Sequence, residues 1–327
     1  MLLGEHAVLH GRRALVCAIN QRITVSLSQC AEKTLRIFSD LGTYEAPLGA
    51  LTDHPDFRFV LDAVKQYPLT QGVELKIESE FSSDIGFGSS AAVTVATHAV
   101  LMNNPPRPSL CSGHPSHGGD LLKSPPSEGC PQGGAGSFDS IFLNELFKRA
   151  LATIHRVQGR GSGSDVAASV FGGVVAYRAE PLEIVPLRQS FPLTAVYSGA
   201  KMKTADVIRW LEERRALNAD YFERIFDRMD ASTGEVVDDF SQLGRMLILN
   251  QKLMEEMGLC NAALAEIIAG FREQGVPAKI SGSGLGDCAV GLGRINFPIK
   301  KYPSYLLDVS AEGFFFEEAA VDSVISL

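Results

Sequence analysis

Residues 86–102, GFGSSAAVTVATHAVLM, set two glycines and two serines directly before a long run of helix-forming residues. No other stretch constrains the fold as strongly, because it predicts a buried helix whose start is open to a close neighbour. The start of a helix leaves several backbone N–H groups without partners and carries the positive end of the helix dipole, so it attracts phosphate. The spacing is neither GxxxxGK[ST] nor GxGxxG, and neither familiar nucleotide fingerprint applies. From these residues alone two readings stay open: a phosphate cradle formed by Gly86, Gly88, Ser89, Ser90 and Ala91, or a structural turn capped by Ser89 or Ser90. A hydroxyl at Ser90 is also chemically able to ligate Mg²⁺ beside a bound phosphate.

Strand and helix patterns mix around this helix. RITVSLS alternates Ile23, Val25 and Leu27 with polar residues, and VELKIESEF does the same with Val73, Leu75 and Ile77. Both predict half-buried antiparallel strands. Between them DHPDFRFVLDAVKQY has Phe57, Val60, Leu61 and Val64 at helical spacing, with Asp53 or Asp56 placed to cap. DSIFLNELFKRALATIHRVQG carries a stripe of Leu143, Phe147, Ala150, Ile154 and Val157. GGVVAYRAEPLEIVPL predicts a strand pair, and PLTAVYSG a strand that opens a helix-rich second half made of TADVIRWLEERR, DFSQLGRMLILNQKLMEEMG and NAALAEIIAGFREQG. Residues 103–137, with seven prolines and seven glycines, cannot bury enough apolar surface to offset their ordering entropy. They predict a disordered insertion.

Two further glycine-rich places matter. In GSGSDVAAS, Asp165 emerges from glycine and serine into a helix, either as a cap or first-turn acid or as a base for a hydroxyl that attacks phosphorus. SGSGLGDCAV, residues 281–290, joins two apolar runs through a loop that is either an anion-binding nest or a plain hairpin. Three such loops together favour phosphoryl chemistry, in which catalysis is mostly positioning and charge neutralisation.

Bulk properties narrow the partners. Acidic residues outnumber basic ones by 38 to 30 in 327 residues, and no basic block favours nucleic acid. The six cysteines show neither a CxxC pair nor zinc spacing. No apolar run approaches the roughly 18–20 residues of a membrane span. A soluble cytoplasmic protein with a small polar substrate is expected.

Four stretches, GEHAVLHG, GFGSSAAVTVA, GSGSDVAAS and KISGSGLGDCA, stand in an order that resembles the motifs of the GHMP kinase superfamily of galactokinase, homoserine kinase, mevalonate kinase and phosphomevalonate kinase. The GEHAV form is most similar to the mevalonate kinases. The resemblance implies an α+β, two-domain GHMP-kinase-like fold: a ribosomal protein S5 domain 2-like N-terminal domain over 1–190 and a ferredoxin-like C-terminal domain over 191–327. It implies ATP with its phosphates on Gly86, Gly88, Ser89, Ser90 and Ala91 and closed over by Gly282, Ser283 and Gly284. Asp165 matches the catalytic aspartate, Ser90 the Mg²⁺ ligand, and Glu5, His6 and Thr204 fall on the acceptor side. The implied reaction is ATP-dependent phosphorylation of the primary hydroxyl of mevalonate, in isoprenoid biosynthesis, by an enzyme for which a homodimer is one compatible assembly. The aspartate motif is nearly as similar to phosphomevalonate kinases, with Arg160 beside it for a phosphorylated acceptor, and a nucleotide-binding homologue without turnover is the reading of another class. Two features depart from the pattern: Met1 falls past the position of a lysine in the family's first motif, and the place of its Mg²⁺-binding glutamate falls near Ile154 and His155.

Overall fold

The computed structural model describes residues 1–82, 85–103, 139–159, 161–200, 202–317 and 323–326. Apart from Asn103, the expected insertion lies outside the described residues, as does Arg160. A 3₁₀ turn at His6–His10 is followed by β1 (Ala14–Cys17), β2 (Ile23–Cys30), β3 (Thr34–Ser39), β4 (Gly42–Pro47), α1 (Arg58–Val64), β5 (Gly72–Ser79), α2 (Ser89–Asn103), α3 (Ser140–Gln158), α4 (Ser164–Phe171), β6 (Val174–Arg178) and β7 (Glu183–Leu187). The chain continues through β8 (Pro192–Tyr197), α5 (Thr204–Leu217), α6 (Ala219–Asp238), α7 (Leu243–Glu256), α8 (Ala262–Glu273), β9 (Ala278–Ser281), β10 (Cys288–Leu292), β11 (Ser304–Asp308), β12 (Phe315–Glu317) and β13 (Ser323–Ser326).

The alternating strands pair as their pattern predicts: β2 and β5 run antiparallel from Ile23 opposite Ser79 to Cys30 opposite Gly72. They form the middle of a six-stranded sheet ordered β12-β13-β2-β5-β3-β4. Helix α2 packs on this sheet and against α1, α3 and α4. Its Val95, Ala96, Ala99 and Val100 are wholly buried, which explains why its apolar residues show no one-sided stripe. A second sheet, ordered β11-β8-β10-β9, belongs to the later half, and β1, β6 and β7 form a third. One apolar cluster welds these two sheets together, with Leu2, Leu15 and Val174 packed in it beside Leu193, Leu247, Val290 and Leu307.

Some local expectations shift. Helix α1 starts after Phe57 without a side-chain cap. Asp53 instead pairs with Lys65 at 2.8 Å, so neither aspartate named for the cap makes one. Helix α6 was not foreseen from sequence, because its second half contains Ser232, Thr233 and Gly234, which favour helix only weakly. Tertiary contact explains the glycine: a Cβ at Gly234 would stand 2.8 Å from the Arg13 guanidinium, which reaches across to Asp230 at 2.7 Å. The tail after Gly293 supplies β11, β12 and β13, strands of three to five residues too short to carry a readable alternation.

Candidate active site

Gly86 and Gly88 both adopt left-handed backbone, with φ of 82° and 81°. This geometry swings the chain into α2, which begins at Ser89, and leaves its first N–H groups at the loop. Ser90 therefore lies in the first turn, half-buried, and Ala91 is buried beside it. Asp165 is the second residue of α4 and does not cap it; that position belongs to Gly163, at φ 83°. A Cβ on Gly163 would meet the Tyr177 hydroxyl at 2.7 Å, so the turn admits only glycine. The freed carboxylate of Asp165 is exposed and lies over the first loop, where a Cβ on Gly88 would stand 3.8 Å from both its Cβ and Cγ. Gly86, Phe87, Gly88, Asp165, Ser281 and Cys288 line one cleft. Two motifs some eighty residues apart thus meet.

The last glycine loop closes the β9–β10 hairpin, which pairs Ser281 with Cys288. Gly282 and Gly284 lie at φ 90° and 84°, and even Leu285 and Asp287 are held at 58° and 59°. Backbone bonds hold it on several sides: Leu285 N donates to Leu259 O at 2.8 Å, Asp287 N to Ala200 O at 2.8 Å, and Ser198 N to Asp287 O at 2.9 Å. Its far end touches the first loop, since a Cβ on Gly86 would stand 3.0 Å from Asp287 Oδ1. Cys288 Sγ adds a bond to Ile85 O at 3.2 Å.

Behind this loop sits the first motif. His6 is buried, and its Nε2 donates to Ser283 O at 2.8 Å. Burial lowers its pKa, with the Ser283 carbonyl and the Glu5 carboxylate opposing, so the imidazole is neutral at pH 7. Glu5 is also buried, and Lys279 Nζ donates to its Oε1 and to Ile280 O. With its amide turned to match its neighbours, Asn250 donates to Glu5 Oε2 at 3.2 Å and accepts from Gly4 N at 3.2 Å. Burial also drives the Lys279 ammonium's pKa down, against the pull of Glu5. Neither Glu5 nor His6 lines the cleft that holds Asp165. Thr204, the first residue of α5, is exposed and also lies off that cleft, although the segment before it touches the last loop: Met202 N would stand 3.2 Å from a Cβ on Gly286.

Among the described residues no three or more His, Cys, Asp or Glu side chains gather as a metal cage. Ile154 packs in the core and His155 turns to Gly161 O at 2.9 Å, so the place counted back from Asp165 supplies no acid. Asp165 in the cleft and Ser90 in the first turn of α2, which does not itself line the cleft, offer a carboxylate and a hydroxyl as hard oxygen donors near a helix start suited to an anion. Mg²⁺ suits such a set, because it keeps much of its water and is held chiefly through one or two carboxylates plus substrate phosphates. Sequence reading did not single out Lys279, Asp287 or Arg22. Arg22 borders the cleft, bonded to Gly313 O at 3.0 Å and Ser310 Oγ at 2.8 Å. The only available signal was that Lys279 and Asp287 both fall within the last glycine motif, KISGSGLGDCA.

With this geometry in place, comparison with known proteins is decisive. The chain is 31% identical over 323 residues to mevalonate kinase of Archaeoglobus fulgidus, a match that covers 97% of each protein. This protein belongs to the mevalonate kinase family of GHMP kinases. Residues 235–295, from the end of α6 through the last glycine loop, match the family description "GHMP kinases C terminal". The family's fold is also seen in a crystal structure of mevalonate kinase, with a TM-score of 0.72 at 19% identity over 95% of this chain and 96% of that one. A mevalonate kinase of L. major in complex with R-mevalonate superposes with a TM-score of 0.68 at 21% identity, covering 94% of this chain and 93% of that one. The mixed α+β architecture of the GHMP kinases is therefore that of this chain. Among the described residues no helix is long and apolar enough to cross a membrane.

Proposed function

We propose that this member of the mevalonate kinase family transfers the γ-phosphoryl group of ATP to the primary hydroxyl of mevalonate. One observation carries the reading: the Asp165 carboxylate stands over Gly88, where the chain enters α2, and both residues line the cleft. A carboxylate so close to an anion-binding helix start is electrostatically costly beside phosphate unless it handles a proton or a cation there. In this reading Gly86, Gly88, Ser89, Ser90 and Ala91 hold the ATP phosphates through backbone N–H groups. Gly282, Ser283 and Gly284 cover them from the opposite side. Asp165 orients the acceptor hydroxyl and takes its proton as the oxygen bonds to the γ-phosphorus; the bond to the β-phosphate oxygen breaks and ADP leaves. Ser90 and Asp165 would hold Mg²⁺, which neutralises charge on the transferred group. Glu5 and His6 shape the acceptor side from behind the last loop, with Thr204 at the start of α5 as a further acceptor contact.

Incubating the chain with Mg²⁺-ATP and mevalonate and weighing the products tests this. A singly phosphorylated mevalonate is expected from the parent, with Asp165→Asn slower by roughly a thousandfold while its ATP affinity is kept. Absence of that product from a parent that still binds ATP, or undiminished turnover in Asp165→Asn, would overturn it.

A further inference from the structure

Three consecutive residues of the first motif each reach a different part of the second half. Gly4 N bonds the Asn250 side chain on α7, Glu5 pairs with Lys279 on β9, and His6 bonds Ser283 O in the last glycine loop. The middle contact is the unusual one. Both side chains are sealed from water, Lys279 at 0% and Glu5 at 2% side-chain exposure, and ion pairs so placed rarely raise stability over an apolar pair of the same size. Lys279 also stands two residues before Ser281, where the chain leaves β9 for the loop. The strand is fixed on its other side by Gln251, whose Oε1 accepts from Ile280 N at 2.8 Å.

Building on the proposed kinase reaction, we infer that Lys279 and Glu5 are a positioning pair, which sets the register of the loop from Gly282 to Asp287 against the first motif and so places its backbone over the phosphates. Neither residue touches substrate; each acts through the other. An ammonium bonded at once to Glu5 Oε1 and to the carbonyl of its neighbour Ile280 fixes both the direction of β9 and the depth to which the first motif inserts behind the loop. His6 then meets Ser283 O only in that register. Together with His6 and Ser283, 277 residues apart, this pair, 274 residues apart, joins the first motif to the last glycine loop.

The asymmetry of buried ion pairs provides the test. Removing one partner strands a charge in the interior, whereas removing both leaves a neutral contact of similar volume. Lys279→Met, Glu5→Gln and the double variant are compared for thermal midpoint, for kcat and KM with ATP and mevalonate, and for affinity toward a fluorescent ATP analogue. Either single variant is expected to lower the midpoint and to reduce kcat about a hundredfold. The double variant should recover the midpoint yet keep kcat at least tenfold below the parent, with the KM for mevalonate little changed and analogue binding weakened. Recovery of kcat together with the midpoint in the double variant would overturn the inference, as would single variants that lose midpoint but not kcat. Analogue binding needs no acceptor. If the parent fails to phosphorylate mevalonate the proposed reaction falls, while unchanged analogue affinity in a stable double variant would still overturn the positioning role on its own.

Discussion

The two glycine loops that meet at the cleft are held in opposite ways. The first, Gly86 to Gly88, depends on what lies around it: α2 anchors its end, Asp165 and Asp287 lie against its glycines, and Ala92 N bonds Gly88 O only as the first link of the helix. The second, Gly282 to Asp287, is fastened by backbone bonds to Leu259, Ala200 and Ser198 and by His6, and it keeps two non-glycine residues in left-handed backbone. Holding a leucine and an aspartate there costs on the order of 1–3 kcal/mol each. The second loop is thus a rigid template and the first an adaptable seat. A substitution in the template should therefore register as lost folding stability, and one in the seat as lost affinity.

The largest contrast comes from Gly284→Ala. Its added Cβ would lie 2.8 Å from Leu259 Cβ and Leu259 O at φ 84°, so unfolding free energy should fall by about 2–4 kcal/mol in denaturant titration. A loss below about 1 kcal/mol would show that this loop yields and would erase the distinction.

The helix that carries the first loop can be loosened by acid. His98, at the centre of α2, is buried between the Tyr67 hydroxyl at 2.9 Å and Thr153 Oγ1 at 3.0 Å, and burial pushes its pKa down to about 3. The unfolded histidine takes its proton near 6.5, so the unfolded chain binds protons first as pH falls, and this contribution is fully kept above 6.5 and lost progressively from there toward 3. At pH 5 the loss should be about 2 kcal/mol relative to pH 7. The stability-pH curve of His98→Gln should lack that component, and parallel curves for the two proteins would rule it out.

Smallest in stability is Gly86→Ala. Its neighbour is the flexible end of Asp287 at 3.0 Å rather than backbone, so the cost should be about 1 kcal/mol, from the φ of 82° alone. ATP affinity should drop more steeply than stability. Equal losses in both would mean that the two loops are fastened alike.

Sequence reading found what is local. The period-two strands β2 and β5, the helices α2, α3, α7 and α8, and the glycines before them follow from spacing within ten to twenty residues. Asp165 was legible as an acid at a helix start, but its place over Gly88 was not, since that depends on how α4 packs on α2. Lys279 was harder still: a lysine in a short strand reads as solvent-exposed until Glu5, 274 residues away, is seen to seal it. Helix α6 escaped because its buried Ser232, Thr233 and Gly234 answer to Arg13 and neighbouring elements rather than to helical propensity. What failed in each case was knowledge of a distant partner.

The pairing of β13 with β2, Ser323 opposite Leu27 through Ser326 opposite Thr24, has a consequence for biosynthesis. During translation β2 leaves the ribosome almost three hundred residues ahead of the strand that covers its edge. Pairings so remote are slow to form, and until then the open ladder of β2 can recruit a strand from another chain. Nascent chains of this protein should therefore lean on chaperones until β13 is made, and a chain halted just short of β13 would be an aggregation-prone product with its glycine loops already complete.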